Sequence, residues 1–127
     1  MTILIHVSPG ELIDKMTILE VKLEHISDPA KLTNIRREHD MTKQTFRDNV
    51  VDTPALSELI AELKTANLAL WIIENDIREH ERKSDFGEGF VALARSVYRM
   101  NDVRAAIKRR INVLLDSAIV EEKSYSD

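Results

Sequence analysis

The feature that most constrains this fold is a capping residue followed by proline, a pattern that occurs three times. The pairs are Ser8-Pro9, Asp28-Pro29 and Thr53-Pro54. In each pair the first side chain offers an oxygen that can cap a helix, and proline suits the first helical position, where its missing N–H is not needed. The chain has only three prolines and three glycines in 127 residues. The long stretches between the pairs are therefore free to be helical, and the chain is predicted to be all-α.

A fourth helix start is predicted at Asp85, because Glu88 follows three residues later, which is the spacing of a capping box. Ser8 and Glu11 have the same spacing. Four starts predict a bundle of four helices in a single domain over residues 1–127. The predicted boundaries are roughly 9–27, 29–49, 54–83 and 86–116, and the last two helices form a long antiparallel hairpin.

Apolar residues recur at the three- and four-residue steps of a helix in three of these segments. The second segment has fewer apolar residues, so its helix is expected to be the most exposed. Residues 3–7 are apolar and rich in β-branched side chains, which favours a short N-terminal strand. The two hairpin helices would be about 45 Å long and the first two about 30 Å. Part of the hairpin would then be uncovered, and we expect a homo-oligomer.

Composition limits the compartment and the partners. The chain has no cysteine, so disulfides and thiolate metal sites are excluded. We see neither an apolar run of the ~20 residues that a membrane span needs nor a signal-peptide pattern, so a cytoplasmic protein without membrane contact is expected. The net charge of −4 gives no general attraction to nucleic acid, which is not expected as a partner.

The first candidate site lies at the start of the first helix. Glu11 and Asp14 are three residues apart, so they share a helix face and can hold a divalent cation. Lys22 follows on the same face and can meet a phosphate. Alternatively, these acids only offset the helix dipole, Glu11 completes the capping box, and Lys22 is solvated.

The second candidate is Glu74, which the heptad extrapolation from Leu63 and Leu70 places at or beside the apolar stripe. A carboxylate near a core is costly unless it is paired or liganded. Glu74 could therefore act as a general base, bind a metal or bind a polar group of a ligand. Alternatively, it forms an ion pair across the hairpin with Arg95 or Arg99.

The third candidate is a polar stripe in the fourth helix. Asn101, Arg104, Lys108 and Asn112 recur at helical spacing, and Asn101 and Lys108 stand where the pattern calls for apolar residues. Such a stripe can line a cavity between helices and hold an anion, with Arg104 as a bidentate fork and Lys108 as a point charge. Alternatively, the stripe turns toward solvent at mid-helix.

Three segments together carry a resemblance. They are Ser-Pro-Gly-Glu-Leu-Ile-Asp-Lys-Met-Thr-Ile-Leu-Glu-Val-Lys at 8–22, Tyr98-Arg-Met-Asn101-Asp102-Val-Arg104, and Glu121-Glu-Lys-Ser-Tyr125. The chain resembles a family of small bacterial and phage proteins of unknown function. This resemblance implies a stand-alone soluble protein of this size and brings no activity, substrate or catalytic residue.

A looser similarity is to the all-α nucleotide pyrophosphohydrolases, which hydrolyse nucleoside triphosphates with magnesium. Their motif is Glu-x-x-Glu, followed one helix later by Glu-x-x-Asp. Glu11-x-x-Asp14 matches one element, whereas Glu74-x-Asp76 departs from the spacing of the other. The resemblance implies that Mg²⁺ would be the cofactor of such an activity.

Three functions remain open from the sequence. The first is binding of a small anionic or nucleotide-like ligand between helices. The residues expected to hold that ligand are Lys22, Glu74, Asn101, Arg104 and Lys108. The second is a magnesium-dependent nucleotide hydrolase using Glu11, Asp14, Glu74 and Asp76. The third is an interaction module without a ligand, and the sequence does not decide whether the protein is an enzyme.

Overall fold

The computed structural model describes residues 1–125, which form four α-helices. They are α1 (Pro9–His25), α2 (Pro29–Asn49), α3 (Pro54–Arg82) and α4 (Glu88–Leu114). The predicted all-α bundle is confirmed, and each boundary lies within two residues of its prediction. None of these four helices is both long and apolar enough to cross a membrane. The last two residues of the predicted domain 1–127 lie outside the described residues.

The three residue–proline pairs start helices by the predicted mechanism. The side chains of Ser8, Asp28 and Thr53 accept hydrogen bonds from the backbone N–H groups of Glu11, Ala30 and Leu56, at 3.1, 2.9 and 3.2 Å. In each helix the proline follows the cap directly. Each bond satisfies one of the N–H groups that a helix leaves without an internal partner.

The start of α4 differs from the prediction. Asp85 does not cap the helix, and its side chain accepts from the backbone N–H of Gly87 at 3.3 Å instead. Ser84 adopts a left-handed conformation with φ of 53°, which closes the turn between α3 and α4. The chain therefore becomes helical only at Glu88, and Gly87 occupies the cap position without a side-chain hydrogen bond.

The predicted N-terminal strand is wrong. Residues 3–7 have no regular secondary structure, and no strand occurs anywhere in residues 1–125. A strand needs a neighbour for its backbone hydrogen bonds, and Ile119 and Val120, the other apolar segment outside the helices, are also irregular. High β-propensity without a partner strand leaves the segment irregular and exposed.

The core lies at one end of the bundle, where α1 packs against the other three helices. Its buried side chains include Ile13, Met16, Phe46, Leu63 and Ile111. Burying each of them stabilises the fold by about 1.5–3 kcal/mol. As expected, α2 is the most exposed helix, since Thr42 and Phe46 are its only buried residues.

The far half of the α3–α4 hairpin extends beyond this core. The last buried residue of α3 is Asn67 and the first of α4 is Ile107, so no residue from 68 to 106 is buried. The hairpin helices have 29 and 27 residues, whereas α1 has 17. At ~1.5 Å per residue, α1 is roughly 15 Å too short to cover the hairpin. The expectation of a partly uncovered hairpin is confirmed.

Candidate functional site

The polar clusters predicted on α1 and α4 meet in a row of contacts, which we call the α1–α4 seam. At its first contact, the backbone N–H of Gly10 donates to Asn112 Oδ1 at 2.7 Å, and both residues are buried. A Cβ atom on Gly10 would lie 2.7 Å from the carbonyl oxygen of Lys108. Glycine is therefore needed here because the two helices approach too closely for a side chain.

Asp14 forms the central contact of the seam and is only 1% exposed. Arg104 donates to both of its carboxylate oxygens, from Nε at 2.8 Å and from Nη2. Asn67 Nδ2 donates to the same carboxylate at 3.0 Å and to Thr17 Oγ1 at 2.9 Å. The hydrogen bonds to Asp14 raise the pKa of Arg104, although partial burial opposes that shift. A buried carboxylate with this many charge-assisted bonds is a fixed structural element.

Lys108 forms the third contact, and its side chain is only 11% exposed. Its ammonium donates to Glu11 Oε2 at 2.7 Å and to Glu121 Oε2 at 3.1 Å. Burial lowers the pKa of Lys108, but the bonds to these two carboxylates and the negative charges of Asp14 and Glu11 together outweigh it, and the net shift is upward. Glu121 lies beyond the end of α4, so this bond ties the C-terminal segment to the seam.

A groove of about 810 Å³ lies between α4 and residues 121–125, which we call the tail. We call this groove the α4–tail groove. Its polar lining includes Tyr98, Asn101, Arg104, Lys108, Lys123 and Tyr125. Lys123 reaches back to Asp102 at 3.1 Å and holds the tail against α4. The neighbouring guanidinium groups of Arg99 and Arg95 lower the pKa of the Tyr98 phenol.

A smaller groove of about 420 Å³ lies between α1, α3 and α4. It contains Glu74 and Trp71, and it shares Asn101 and Arg104 with the α4–tail groove. Glu74 pairs with Arg78 on its own helix, at 3.1 Å. The predicted alternative, an ion pair of Glu74 across the hairpin, is therefore not formed.

The structure brings three of the five predicted ligand residues together. Asn101, Arg104 and Lys108 line the α4–tail groove, and Glu74 lies in the smaller groove beyond Arg104. Lys22, about two turns after Asp14 on α1, lines neither groove. Sequence reasoning missed Lys123 and Tyr125 as groove residues, because no periodicity shows where a segment beyond the last helix will lie.

The predicted metal ligands do not fit a magnesium site. Asp14 accepts bonds from Arg104 and Asn67, and Glu11 accepts from Lys108. Within residues 1–125, no group of three or more His, Cys, Asp or Glu side chains is placed to hold a metal ion. Mg²⁺ at Glu11 and Asp14 would face two cations that already neutralise these carboxylates.

A family model described as "Family of unknown function (DUF6165)" matches residues 3–127. No curated protein and no solved structure matches the chain. The similarity to nucleotide pyrophosphohydrolases finds no support in these comparisons.

Proposed function

This chain belongs to DUF6165, a family of unknown function, and we propose from its geometry that it binds a small anionic, nucleotide-like ligand in the α4–tail groove. The anionic group of the ligand takes the place of the Glu121 carboxylate beside Lys108 and accepts hydrogen bonds from Arg104. Tyr98 and Tyr125 contact the planar part of the ligand. The volume of about 810 Å³ suits such a molecule, since small-molecule sites typically span 300–1,000 Å³.

The observation that carries this proposal is that two cationic side chains at the groove have N–H groups without a hydrogen-bond acceptor. A guanidinium has five N–H bonds, and Arg104 uses three of them on Asp14 and Asn101. Lys108 has three N–H bonds and uses two, on Glu11 and Glu121. Two N–H bonds of Arg104 and one of Lys108 remain for a ligand. Because the seam fixes both side chains, little conformational entropy is lost when they bind.

The tail carboxylate is a weak occupant of the site. Glu121 is 60% exposed and belongs to no helix. Only the Lys108 end of this pair is buried, and with Glu121 in solvent the pair stays near the value of surface ion pairs, about 0.2–1 kcal/mol, so a phosphate or carboxylate ligand can displace Glu121. Around the groove three cations, Arg104, Lys108 and Lys123, lie beside four carboxylates, Glu11, Asp14, Asp102 and Glu121. An incoming anion is therefore held by the directed N–H groups of Arg104 and Lys108 and not by a net positive charge.

Two exposed aromatic rings favour a ligand with a flat ring. Tyr98 belongs to α4 and Tyr125 to the tail, and both line the groove. Lys123 Nζ lies 5.6 Å from the centroid of the Tyr125 ring. Nucleobases stack on aromatic side chains without needing a specific hydrogen-bond pattern. Phosphate-binding cations beside such rings suit a nucleotide better than an anion without a ring.

Calorimetric titration of the full chain with inorganic phosphate, ribose 5-phosphate and adenosine monophosphate tests the proposal. Glu121→Gln removes the competing carboxylate and should tighten binding of all three probes about 1.5- to 5-fold, the equivalent of 0.2–1 kcal/mol. Glu122→Gln is the matched control. Glu122 pairs with Arg109 at 3.6 Å and does not line the α4–tail groove, so affinity should stay unchanged.

A second variant tests the ring contact. Tyr98→Ala should weaken binding of adenosine monophosphate while leaving inorganic phosphate unaffected, because only the nucleotide has a base to stack. The proposal is wrong if none of the three probes binds at millimolar concentration to the wild type or to Glu121→Gln. Equal gains in affinity for Glu121→Gln and Glu122→Gln would also contradict it, since they would indicate a general charge effect.

The magnesium-dependent hydrolase is the less favoured alternative. It requires carboxylates that are available to a metal, and those of Glu11 and Asp14 are bound by Lys108 and Arg104. Glu74 pairs with Arg78 in the smaller groove. Release of phosphate from a nucleoside triphosphate that stops when a chelator is added would favour the hydrolase over simple binding.

A further inference from the structure

The side of the α3–α4 hairpin that faces away from α1 carries a third groove, and we call this side the back face. On α4, Arg104, Lys108 and Asn112 contact residues of α1. The groove, of about 630 Å³, lies on the other side of the same helix. Its apolar lining consists of Ala55, Leu59, Ala106, Val113 and Leu114. Val113 is 75% exposed, which is unusual for a valine that lines a concave surface.

Charges of opposite sign border the back face. On α3, Glu58, Glu62 and Asp76 recur at helical spacing, and on α4, Arg95, Arg99 and Arg110 do the same. Glu62 and Arg110 pair with each other at 3.4 Å. In the part of the chain that the structure describes, the other four have no oppositely charged partner: Glu58, Asp76, Arg95 and Arg99. The α3 border is thus acidic and the α4 border basic.

We infer that the back face binds a second copy of this chain in a two-fold homodimer. A two-fold axis parallel to the helices places α3 of one copy on α4 of its partner. The same rotation places the acidic border of each copy on the basic border of the other, so the surface is self-complementary. A partner of a single charge sign would be repelled by one of the two borders.

The shape of the back face fits a four-helix interface. Ala69 on α3 and Ala106 on α4 are small residues on the back face. Helices can therefore approach to about 8 Å there. The α4 helix has 27 residues, or about 40 Å, and two helices side by side are about 20 Å wide. This length times this width gives a face of about 800 Å². A standard stable interface buries about the same area on each partner.

Multi-angle light scattering of the full chain over micromolar concentrations tests this inference. The wild type should have twice the chain mass of 14.6 kDa. Arg95→Glu with Arg99→Glu makes the α4 border acidic, and Asp76→Lys makes the α3 border more basic. Each variant alone should dimerise about tenfold more weakly or worse, because like charges then meet. An equimolar mixture of the two should recover the dimer.

Arg36→Glu with Arg37→Glu is the matched control, because it makes the same charge change at exposed positions of α2. This variant should dimerise like the wild type. All the substituted residues are exposed, so circular dichroism should show unchanged helix content. A monomer mass for the wild type at all concentrations would overturn the inference. Equal weakening by the α2 control, or no recovery in the mixture, would also overturn it.

Discussion

Replacing Asp14 with asparagine should destabilise the protein more than any other single loss of a carboxylate. The side chain keeps its size, but Arg104 loses the negative charge that compensates its own. Breaking one side of a buried ion pair typically costs 3–5 kcal/mol. Arg104 is still 28% exposed and can recover some hydration. We therefore expect Asp14→Asn to lower the free energy of unfolding by about 3 kcal/mol, the lower limit of that range.

This free energy corresponds to a readily measured change in melting temperature. The entropy of unfolding is about 2.1 cal/mol/K per residue, or about 0.27 kcal/mol/K for 127 residues. A loss of about 3 kcal/mol should therefore lower the melting temperature by about 11 °C. Differential scanning calorimetry measures the shift, and urea denaturation should give a lower midpoint with an unchanged slope.

Two further variants separate charge loss from a general effect of removing an acid. Glu74→Gln removes a half-buried carboxylate that pairs with the exposed Arg78 on the same helix, and it should change stability by no more than about 0.5 kcal/mol. Asp14→Leu with Arg104→Leu removes both charges and should recover most of the loss. The reasoning is refuted if Asp14→Asn is as stable as Glu74→Gln, or if the double variant is less stable than Asp14→Asn.

The close approach of α1 and α4 and the titration of Lys108 give two more predictions. Gly10→Ala should cost about 1–3 kcal/mol in urea denaturation, because its Cβ would lie 2.7 Å from the Lys108 carbonyl oxygen. Gly87→Ala, whose Cβ would lie 3.5 Å from the nearest atom, is the control and should change stability by less than about 0.5 kcal/mol. Between about pH 7, where the Glu11 and Glu121 carboxylates are ionised, and pH 10.5, the ordinary pKa of lysine, Lys108→Met should be less stable than the wild type by a constant amount. Because folding raises the pKa of Lys108, that difference should shrink only as the pH rises through the higher folded value. A difference that changes between pH 7 and 9 would contradict this assignment.

Local signals in the sequence predict most of the fold. Each cap of α1, α2 and α3 depends on a residue and its close neighbours, so Ser8, Asp28 and Thr53 could be identified without tertiary information. The α4 helix begins two residues later than predicted, because the Asp85 side chain accepts a hydrogen bond from the Gly87 N–H instead of capping the helix. The predicted strand failed because pairing depends on a distant segment, which composition does not reveal.

The candidate site was only partly predictable for a related reason. Asn101 and Lys108 interrupt an apolar stripe, and this signal singles out two residues that line the α4–tail groove. A polar stripe looks the same whether it faces a cavity or another helix, so the pairing of Lys108 with Glu11 could not be read from it. The contribution of Glu121 depends on where the tail lies, and no helical periodicity extends that far.

An amide NMR titration of the isotope-labelled full chain with adenosine monophosphate tests the central proposal most directly. We predict the largest shift changes in residues 98–108 of α4 and 121–125 of the tail, which line the α4–tail groove. Changes in the tail should be largest, because the ligand displaces Glu121 from Lys108. No shift changes at millimolar nucleotide, or changes confined to the back face around Ala55 and Val113, would contradict the proposal.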